Sequence, residues 1–157
     1  MQLATLCFLT VGDPSHKILL GLKKTGLGVG KFNGYGGKVE AGEGIETAVM
    51  RELFEESGIQ ITPSQLQKAG VLTFKESGKQ DWETHVYVVP QWQGTAVESR
   101  EMAHHWFKLD TIPYHQMWED DQYWLPHVLA GKTVVATFCF DKDGKLMADM
   151  QVDIQDE

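Results

Sequence analysis

The chain has 157 residues, of which 42% are hydrophobic and 23% are charged, and its formal net charge is −8. These values are ordinary for one soluble globular domain. The negative charge argues against a nucleic-acid polymer as partner, since binding a phosphate backbone requires clustered Lys and Arg side chains. No apolar run has the length of a membrane span, and the first residues lack a secretory signal pattern, so we expect a cytoplasmic protein without membrane contact.

Strand-like runs rich in β-branched and aromatic residues recur along the chain. The segment Gly12-Asp13-Pro14-Ser15 has the composition of a turn between the first two runs, and Asp141-Lys142-Asp143-Gly144 separates the last two. Residues 26–37 form a glycine-rich loop. The predicted strands are Leu3–Val11, Lys17–Leu22, Ala69–Lys75, Thr84–Val89, His104–Leu109, Thr133–Phe140 and Lys145–Ile154.

Two other segments have helical patterns. Apolar residues recur on one face of Glu43–Ser57, which predicts a helix that ends at Gly58. A second helix is expected over Glu119–Leu129, where Pro126 has to fall in the first turn or kink the helix. Together these elements predict an α/β fold, an α/β/α sandwich with a mixed β-sheet between helices, and residues 1–157 are expected to form a single domain.

The first predicted helix carries three acidic residues on one face. Glu52, Glu55 and Glu56 have the spacing i, i+3, i+4, so their carboxylates project from the same side and repel one another. Clustered hard oxygen ligands favour Mg²⁺, with Mn²⁺ as a substitute, over zinc. Taken alone, a glutamate-rich helical face is more typical of a solvated surface, so the neighbouring residues have to decide between the two interpretations.

These glutamates belong to a longer pattern that begins at Gly37. Five residues separate Gly37 from Glu43, seven more precede Arg51, and the chain continues Arg51-Glu52-Leu53-Phe54-Glu55-Glu56-Ser57-Gly58-Ile59. The pattern resembles the Nudix box at every defined position, which ordinary residue frequencies would very rarely produce by chance. On this resemblance the chain is identified as a member of the Nudix hydrolases, metal-dependent enzymes that cut nucleoside phosphoanhydride bonds.

The resemblance implies a role for each residue of the pattern. Arg51 is expected to pair with Glu43 and brace the loop, while Gly37 and Gly42 permit backbone geometry that a side chain would block. The carbonyl of Gly36 is expected to join the helical carboxylates around the metal ions. The implied metal ligands are Gly36, Glu52, Glu55, Glu56 and Glu101.

The implied reaction is in-line attack of water at phosphorus. Metal ions neutralise the polyphosphate, polarise its P–O bonds and lower the pKa of a bound water, and a carboxylate accepts the proton of that water. Glu56 is the first candidate for this general base. Glu101, in the segment Glu98-Ser99-Arg100-Glu101, is the second, because some relatives supply a late glutamate there. The sequence leaves both open.

Beyond the box, nearly the whole chain resembles the MutT-like group of Nudix enzymes, which remove oxidised purine nucleotides. The matching segments are Lys23-Lys24, Asn33-Gly34-Tyr35-Gly36-Gly37-Lys38, Trp106-Phe107-Lys108-Leu109-Asp110 and Met117-Trp118-Glu119-Asp120-Asp121 followed by Tyr123-Trp124. The substrate-binding residues that this resemblance implies are Thr5, Lys23, Asn33, Tyr35, Gly36, Gly37, Lys38, Phe74, Trp118, Asp120, Asp121 and Trp124.

The segment around Trp118 has side chains suited to reading a purine. An indole offers a rigid stacking face, worth about 1–3 kcal/mol per base. Of two adjacent carboxylates in an apolar pocket one tends to be protonated, so Asp120 and Asp121 can present a donor and an acceptor together. Without the family resemblance, an Asp pair at a helix start is more typical of a cap, and Trp118 and Trp124 are more typical of a core.

Three residues depart from the pattern of the group. Leu27 and Glu76 stand where aromatic residues are usual, and Glu119 stands where proline is usual. These changes bear on the fit of the base and leave the catalytic assignment unchanged. The sequence predicts a monomeric, Mg²⁺-dependent hydrolase of small-molecule nucleotides, with 8-oxo-dGTP as leading substrate and 2-oxo-dATP next. The alternatives are a Nudix hydrolase of ADP-ribose or a dinucleoside polyphosphate, and a non-catalytic nucleotide sensor.

Overall fold

The computed structural model describes residues 1–12 and 16–156. Its strands are β1 Gln2–Val11, β2 Lys17–Lys23, β3 Phe32–Asn33, β4 Gln67–Glu76, β5 Trp82–Val89, β6 Met102–Lys108, β7 Thr133–Phe140 and β8 Gln151–Gln155. Its α-helices are α1 Ile45–Ser57 and α2 Asp121–Leu129, and short 3₁₀ helices cover Pro63–Gln65, Leu109–Thr111 and Tyr114–Gln116. Across the described ranges, the strands form one eight-stranded sheet in the order β3-β2-β1-β5-β4-β7-β8. β6 also pairs with β2, on the edge opposite β1.

The sheet is mixed, and β1 lies near its centre. β1 pairs in parallel with β5, and β4 pairs in parallel with β7, while the other strand pairs are antiparallel. β2 pairs with only the last residues of β1, from Leu9 onward. The loop after β3 fills the rest of that edge through bridges from Tyr35 to Cys7 and from Lys38 to Ala4. This pairing holds the glycine-rich loop against the central strand.

Alternate residues of the central strands pack on opposite faces of the sheet, as the strand geometry requires. Phe8 and Val86 face α2, whose Trp124 is fully buried against them. The other face of the same strands packs against α1, and its buried residues include Cys7, Leu9, Tyr87, Val49 and Leu53. The two helices therefore cover opposite faces, which confirms the predicted sandwich.

Helix α1 forms where its apolar residues recur, but it begins two residues later than predicted. Gly44 has extended backbone angles of φ −75° and ψ 155°, so the first helical residue is Ile45. The helix ends as expected at Gly58, whose φ of 78° favours glycine and whose N–H donates to the carbonyl of Phe54. Glu43 consequently lies outside the helix, where its side chain can turn back toward α1.

Other predictions also differ from the structure. Helix α2 begins at Asp121, two residues later than predicted, and Pro126 lies in its second turn, which excludes the first-turn alternative. The last strand begins at Gln151 instead of Lys145, since the chain makes only one isolated bridge to β7 before it. β3 was not predicted at all. The expected turn around Gly12 extends into residues 13–15, which lie outside the described residues. None of the described helices is long and apolar enough to cross a membrane.

Candidate active site

A cleft of about 620 Å³ brings together segments that are far apart in the sequence. The loop after β3 and the end of α1 meet the chain that leads into α2, and the ends of β4 and β5 complete the wall. The volume falls in the range of typical small-molecule sites, roughly 300–1,000 Å³. The predicted site residues that line it are Thr5, Lys23, Asn33, Gly36, Gly37, Glu56, Phe74, Trp118, Asp120, Asp121 and Trp124.

The backbone of β1 leaves no room for a side chain at Gly36, and a side chain at Gly37 would displace the Glu52 carboxylate. A Cβ on Gly36 would lie 1.8 Å from the carbonyl oxygen of Thr5, and one on Gly37 would lie 2.5 Å from Oε1 of Glu52. The N–H of Thr5 donates to the carbonyl of Gly37 at 2.9 Å, and the N–H of Gly36 donates to Oε1 of Glu56 at 2.9 Å. β1 and α1 thus fix this loop from two sides.

Arg51 holds the acidic residues around it in place. Its Nε and Nη2 donate to the two carboxylate oxygens of Glu43, at 2.7 and 2.9 Å, and Nη2 also donates to the carbonyl of Lys38 at 3.1 Å. Its Nη1 donates to Glu52 at 3.0 Å and lies 3.3 Å from Oε2 of Glu55. The hydrogen bond from Arg51 lowers the pKa of Glu43 to about 2. One guanidinium therefore joins the loop to α1, as the resemblance implied for Arg51 and Glu43.

Glu56 is the acidic residue of α1 that faces the cleft. Burial raises the pKa of Glu56 to about 7, and the charge of Glu52 acts in the same direction, against the hydrogen bond from Gly36 and the charge of Lys23. A carboxylate with this pKa is partly deprotonated at neutral pH and still basic enough to accept a proton. These properties suit a general base.

Asp120 and Asp121 line the same cleft and are both buried, each with 3% of its surface exposed. Asp120 accepts a hydrogen bond from the indole N–H of Trp124 at 2.8 Å. Oδ2 of Asp121 is buried without a hydrogen-bond partner within the described part of the chain. Asp120 occupies the N-cap position of α2 but makes no side-chain capping bond. The pair therefore does not serve as an ordinary helix cap.

The two carboxyl groups also shift each other's titration. Burial raises the pKa of Asp120. Burial, then the charge of Asp120, and then the hydrogen bond between the two groups raise the pKa of Asp121 well above its ordinary value. One proton shared between two buried carboxyl groups gives a donor and an acceptor side by side.

Trp118 offers its ring to the cleft. The backbone at Gly28 packs against the indole, where a Cβ would come within 3.4 Å, and Nζ of Lys31 lies 5.2 Å from the ring centroid. Phe74 lines the far wall and stacks on Phe138 at 5.9 Å between ring centroids. Leu27, which replaces an aromatic residue of the group, is 85% exposed and adds little cover over the base.

Comparisons with known proteins agree with this geometry. The NUDIX domain family matches residues 2–128. The chain belongs to the Nudix family. It is 40% identical over 134 residues to the oxidized purine nucleoside triphosphate hydrolase of Mus musculus, covering 85% of each chain. It is 44% identical over 125 residues to the protein of the same name from Danio rerio, covering 79% of each.

Solved structures also resemble the chain over its whole length. The crystal structure of a MutT protein from Bacillus halodurans has a TM-score of 0.80 with 26% sequence identity, and the match covers 98% of each chain. The α/β fold with a mixed sheet between two helices is therefore the Nudix fold. The Nudix assignment also establishes that the chain is of the hydrolase type acting on pyrophosphate bonds.

Nudix hydrolases use divalent metal ions, and the residues of α1 fit such an ion. Across residues 1–12 and 16–156 no three His, Cys, Asp or Glu side chains are already placed to hold a metal ion together. Arg51 binds Glu52 and Glu55, and the N–H of Gly36 binds Glu56. The donors nevertheless have the chemistry that Mg²⁺ prefers. Burial raises the pKa of Glu56, and the negative charge of Glu52 acts in the same direction, so a cation bound beside these carboxylates would favour the ionised form of Glu56.

We expect Mg²⁺ to raise the melting temperature of the wild-type protein. At a concentration of one hundred times Kd, binding stabilises the native state by about 2.7 kcal/mol, or roughly 5–10 °C for a domain of this size. Glu52→Gln should reduce this increase, whereas Glu83→Gln, on β5 and outside the Nudix box, should retain it. The measurement is thermal unfolding with and without MgCl₂. An equal increase in both variants would remove Glu52 from the metal site.

The structure does not bring every predicted residue to the cleft. Tyr35 is fully buried in the core under α1, where burial and then the charge of Glu56 raise its pKa, so its side chain does not line the cleft. Lys38 is exposed, and its Nζ lies 5.5 Å from the ring centroid of Trp82. Glu101 is exposed, and in the described residues no hydrogen bond joins its side chain to the carboxylates of α1. Trp124 lines the cleft although its ring is fully buried in the core, and its indole N–H donates to Asp120.

Sequence reasoning also missed residues that line the cleft. Lys31 lies inside the glycine-rich loop, and Phe140 and Gly144 lie at the start and the end of a turn that was interpreted only as a hairpin. Glu119, the residue in place of proline, accepts a hydrogen bond from the N–H of Leu146 at 3.2 Å and so ties this turn to the start of α2. No local pattern signals these contacts, because they join segments more than twenty residues apart.

Proposed function

We propose that the protein hydrolyses oxidised purine nucleoside triphosphates to the nucleoside monophosphate and pyrophosphate, with 8-oxo-dGTP as leading substrate and 2-oxo-dATP next. One observation carries this proposal. A single cleft is lined both by Glu56 of the Nudix helix and by the buried Asp120–Asp121 pair with Trp118. The relatives in mouse and zebrafish are named for the same substrate class.

At the Trp118 end the site can bind the base. The purine would stack on the indole after Lys31 has moved from the ring face, and the edge of the base would meet the two carboxyl groups. A neutral carboxyl donates a hydrogen bond and an ionised one accepts, so the pair matches an oxidised edge that offers both. Because both groups are buried, a base edge that leaves one of them without a partner binds less well, at a cost of about 1–3 kcal/mol.

At the α1 end the site can cleave the anhydride. Bound Mg²⁺, held by the carboxylates of Glu52, Glu55 and Glu56 with the carbonyl of Gly36, would neutralise the phosphates and lower the pKa of water. We assign the role of general base to Glu56 in preference to Glu101, because Glu56 lines the cleft and Glu101 does not. Water oxygen bonds to phosphorus, its proton passes to Glu56, and the bond to the leaving pyrophosphate breaks. Lys23, which also lines the cleft, can bind phosphate.

The proposal also covers the form of the protein. Residues 1–157 would act as one domain, as a cytoplasmic monomer whose only partner is the nucleotide. The specific metal is Mg²⁺, with Mn²⁺ able to replace it. Support for a free nucleotide as substrate comes from the volume of the cleft, which suits a small molecule, and from the net charge of −8.

The test is steady-state kcat/KM for 8-oxo-dGTP against dGTP in the presence of Mg²⁺. We expect a preference of at least about tenfold, which corresponds to roughly 1.4 kcal/mol and to one unsatisfied buried polar group. A ratio near one would refute the assignment to oxidised purines. The same assay with ADP-ribose and a dinucleoside polyphosphate tests the alternative Nudix activities, and absence of turnover on all of them would favour a nucleotide sensor.

A further inference from the structure

Tyr35 and His104 form a partly buried hydrogen bond outside the cleft. The hydroxyl of Tyr35 lies 2.7 Å from Nδ1 of His104, and the other ring nitrogen of His104, Nε2, lies 2.9 Å from the carbonyl oxygen of Val97. Tyr35 is fully buried under α1, and its hydroxyl would be costly to bury without a partner. The neighbouring His105 points to the opposite face of β6, where its ring contacts Phe32.

The partners of His104 determine its tautomer. A carbonyl oxygen only accepts hydrogen bonds, so the nitrogen that faces Val97 carries the proton. Nδ1 of the neutral ring is then an acceptor, and the Tyr35 hydroxyl donates to it. In the neutral ring both hydrogen bonds therefore run one way, from Tyr35 to His104 and from His104 to Val97.

These hydrogen bonds belong to a circuit of contacts, which runs from the Glu56 carboxylate through Tyr35, His104 and Val97 to the carbonyl of Ser57. The N–H of Gly36, next to Tyr35, donates to the Glu56 carboxylate at 2.9 Å. The N–H of Val97 donates at 2.9 Å to the carbonyl of Ser57, the residue after Glu56. The backbone of Tyr35 is also bonded in both directions to Cys7 of β1, at 2.6 and 2.8 Å. The imidazole of His104 thus connects the loop that touches the Glu56 side chain to the end of the helix that carries it.

We propose that Tyr35 and His104 are positioning residues, which set the distance between the Gly36 loop and the C-terminal end of α1 and thereby orient the Glu56 carboxylate for metal binding and proton transfer. The inference rests on the proposed function for the role of Glu56. It assigns a task to a residue, His104, that belongs to no part of the Nudix box. It also explains why Tyr35, inside the glycine-rich loop, turns its side chain away from the cleft.

The test uses Tyr35→Phe, which removes one hydroxyl and keeps the ring. Losing one hydrogen bond of about 0.5–1.5 kcal/mol should lower kcat roughly two- to tenfold with little change in KM. Mn²⁺ affinity, measured by electron paramagnetic resonance without nucleotide, should weaken by a similar factor. In the metal-free protein, hydrogen exchange at the Gly36 amide should become faster. Tyr87→Phe, a buried tyrosine of the same core cluster without a part in the circuit, is the matched control.

His104→Asn keeps an acceptor near the position of Nδ1, whereas His104→Leu does not. We expect His104→Asn to retain more of kcat than His104→Leu, and we expect this difference to disappear when Tyr35→Phe is also present. His105→Asn, on the other face of β6, serves as the strand control. The inference is overturned if Tyr35→Phe matches Tyr87→Phe in kcat, Mn²⁺ affinity and Gly36 exchange, or if the two His104 variants behave alike.

This result is separable from that of the proposed function. The ratio of variant to wild-type kcat can be measured on whichever nucleoside triphosphate the wild type cleaves, and Mn²⁺ binding needs no nucleotide. A kcat/KM ratio near one for 8-oxo-dGTP over dGTP would refute the substrate assignment while a loss of Mn²⁺ affinity in Tyr35→Phe still supported the positioning role. If the wild type prefers 8-oxo-dGTP but Tyr35→Phe has the Mn²⁺ affinity and kcat of the wild type, the substrate assignment would be supported and the positioning role would be refuted.

Discussion

Glu56→Gln should lower kcat by about 10²–10⁴-fold, the range typical for removal of a general base. The amide side chain can still accept the hydrogen bond from the N–H of Gly36, because Gln retains one carbonyl oxygen. It cannot take a proton from water, and it is a weaker ligand for a divalent cation. The substitution also removes a buried carboxyl group whose pKa is raised to about 7, so the variant should fold at least as well as the wild type at neutral pH.

Circular dichroism and thermal unfolding establish that the variant is folded, and single-turnover rates at saturating Mg²⁺ measure the chemical step. Glu46→Gln is a suitable control, since it changes an exposed glutamate in the first turn of the same helix. Glu101→Gln tests the second candidate for the base, and we expect a smaller loss there because that residue lies outside the cleft. Near-normal turnover in Glu56→Gln would exclude Glu56 as the base, and a larger loss in Glu101→Gln would assign the role to Glu101.

The parts of the fold that the sequence predicted well depend on contacts between residues close in the chain. Helix α1 follows from apolar residues that recur one turn apart, and its end follows from Gly58, whose positive φ disfavours a side chain. The first residue of the helix was predicted wrongly because glutamate, here Glu43, has a high helix propensity. In the structure the Glu43 side chain instead binds Arg51 and the N–H of Glu40, and these interactions come from the folded loop.

The candidate site divides in the same way. The Nudix box was recognised because its residues span a single loop and helix at fixed spacing. The prediction that Tyr35 lines the cleft was wrong because the direction of its side chain depends on the bridge to Cys7 and on His104, sixty-nine residues away. The position of Lys31 over Trp118 likewise depends on how the glycine-rich loop packs against the start of α2. Such contacts follow from tertiary packing, which local patterns do not encode.

Asp121→Asn should remove most of the preference for an oxidised purine. The variant keeps the size of the side chain but fixes position 121 as a neutral amide, so the pair can no longer present an ionised acceptor at Asp121 with the proton on Asp120. Hydrogen bonds to charged groups contribute about 1.5–3 kcal/mol, so the ratio of kcat/KM for 8-oxo-dGTP to that for dGTP should fall by roughly 10–150-fold. The Mg²⁺ dependence should stay near that of the wild type, because the carboxylates of α1 are unchanged.

Asp121→Asn should raise the melting temperature of the protein while it lowers the preference for 8-oxo-dGTP. The pKa of Asp121 is raised in the folded state, so the native protein binds a proton that the unfolded chain releases as pH rises above the ordinary value of 3.8. The free energy of unfolding therefore declines as pH rises from 3.8 to the raised pKa of Asp121, and it is lowest above that pKa. Asparagine does not ionise, so Asp121→Asn should gain melting temperature relative to the wild type as pH increases from 5 to 8.

Thermal unfolding at several pH values measures this gain, with Asp110→Asn, an exposed carboxylate in a short 3₁₀ helix, as control. A variant that keeps its preference for 8-oxo-dGTP would contradict the assignment of Asp121 to base reading. A fall in melting temperature relative to the wild type between pH 5 and 8 would contradict the burial of an ionisable group there. Loss of preference together with gain of stability has one physical explanation, because unfolding or misfolding cannot raise the melting temperature. Burial of the two carboxyl groups would then lower the stability of the protein, and their role would be to bind the base.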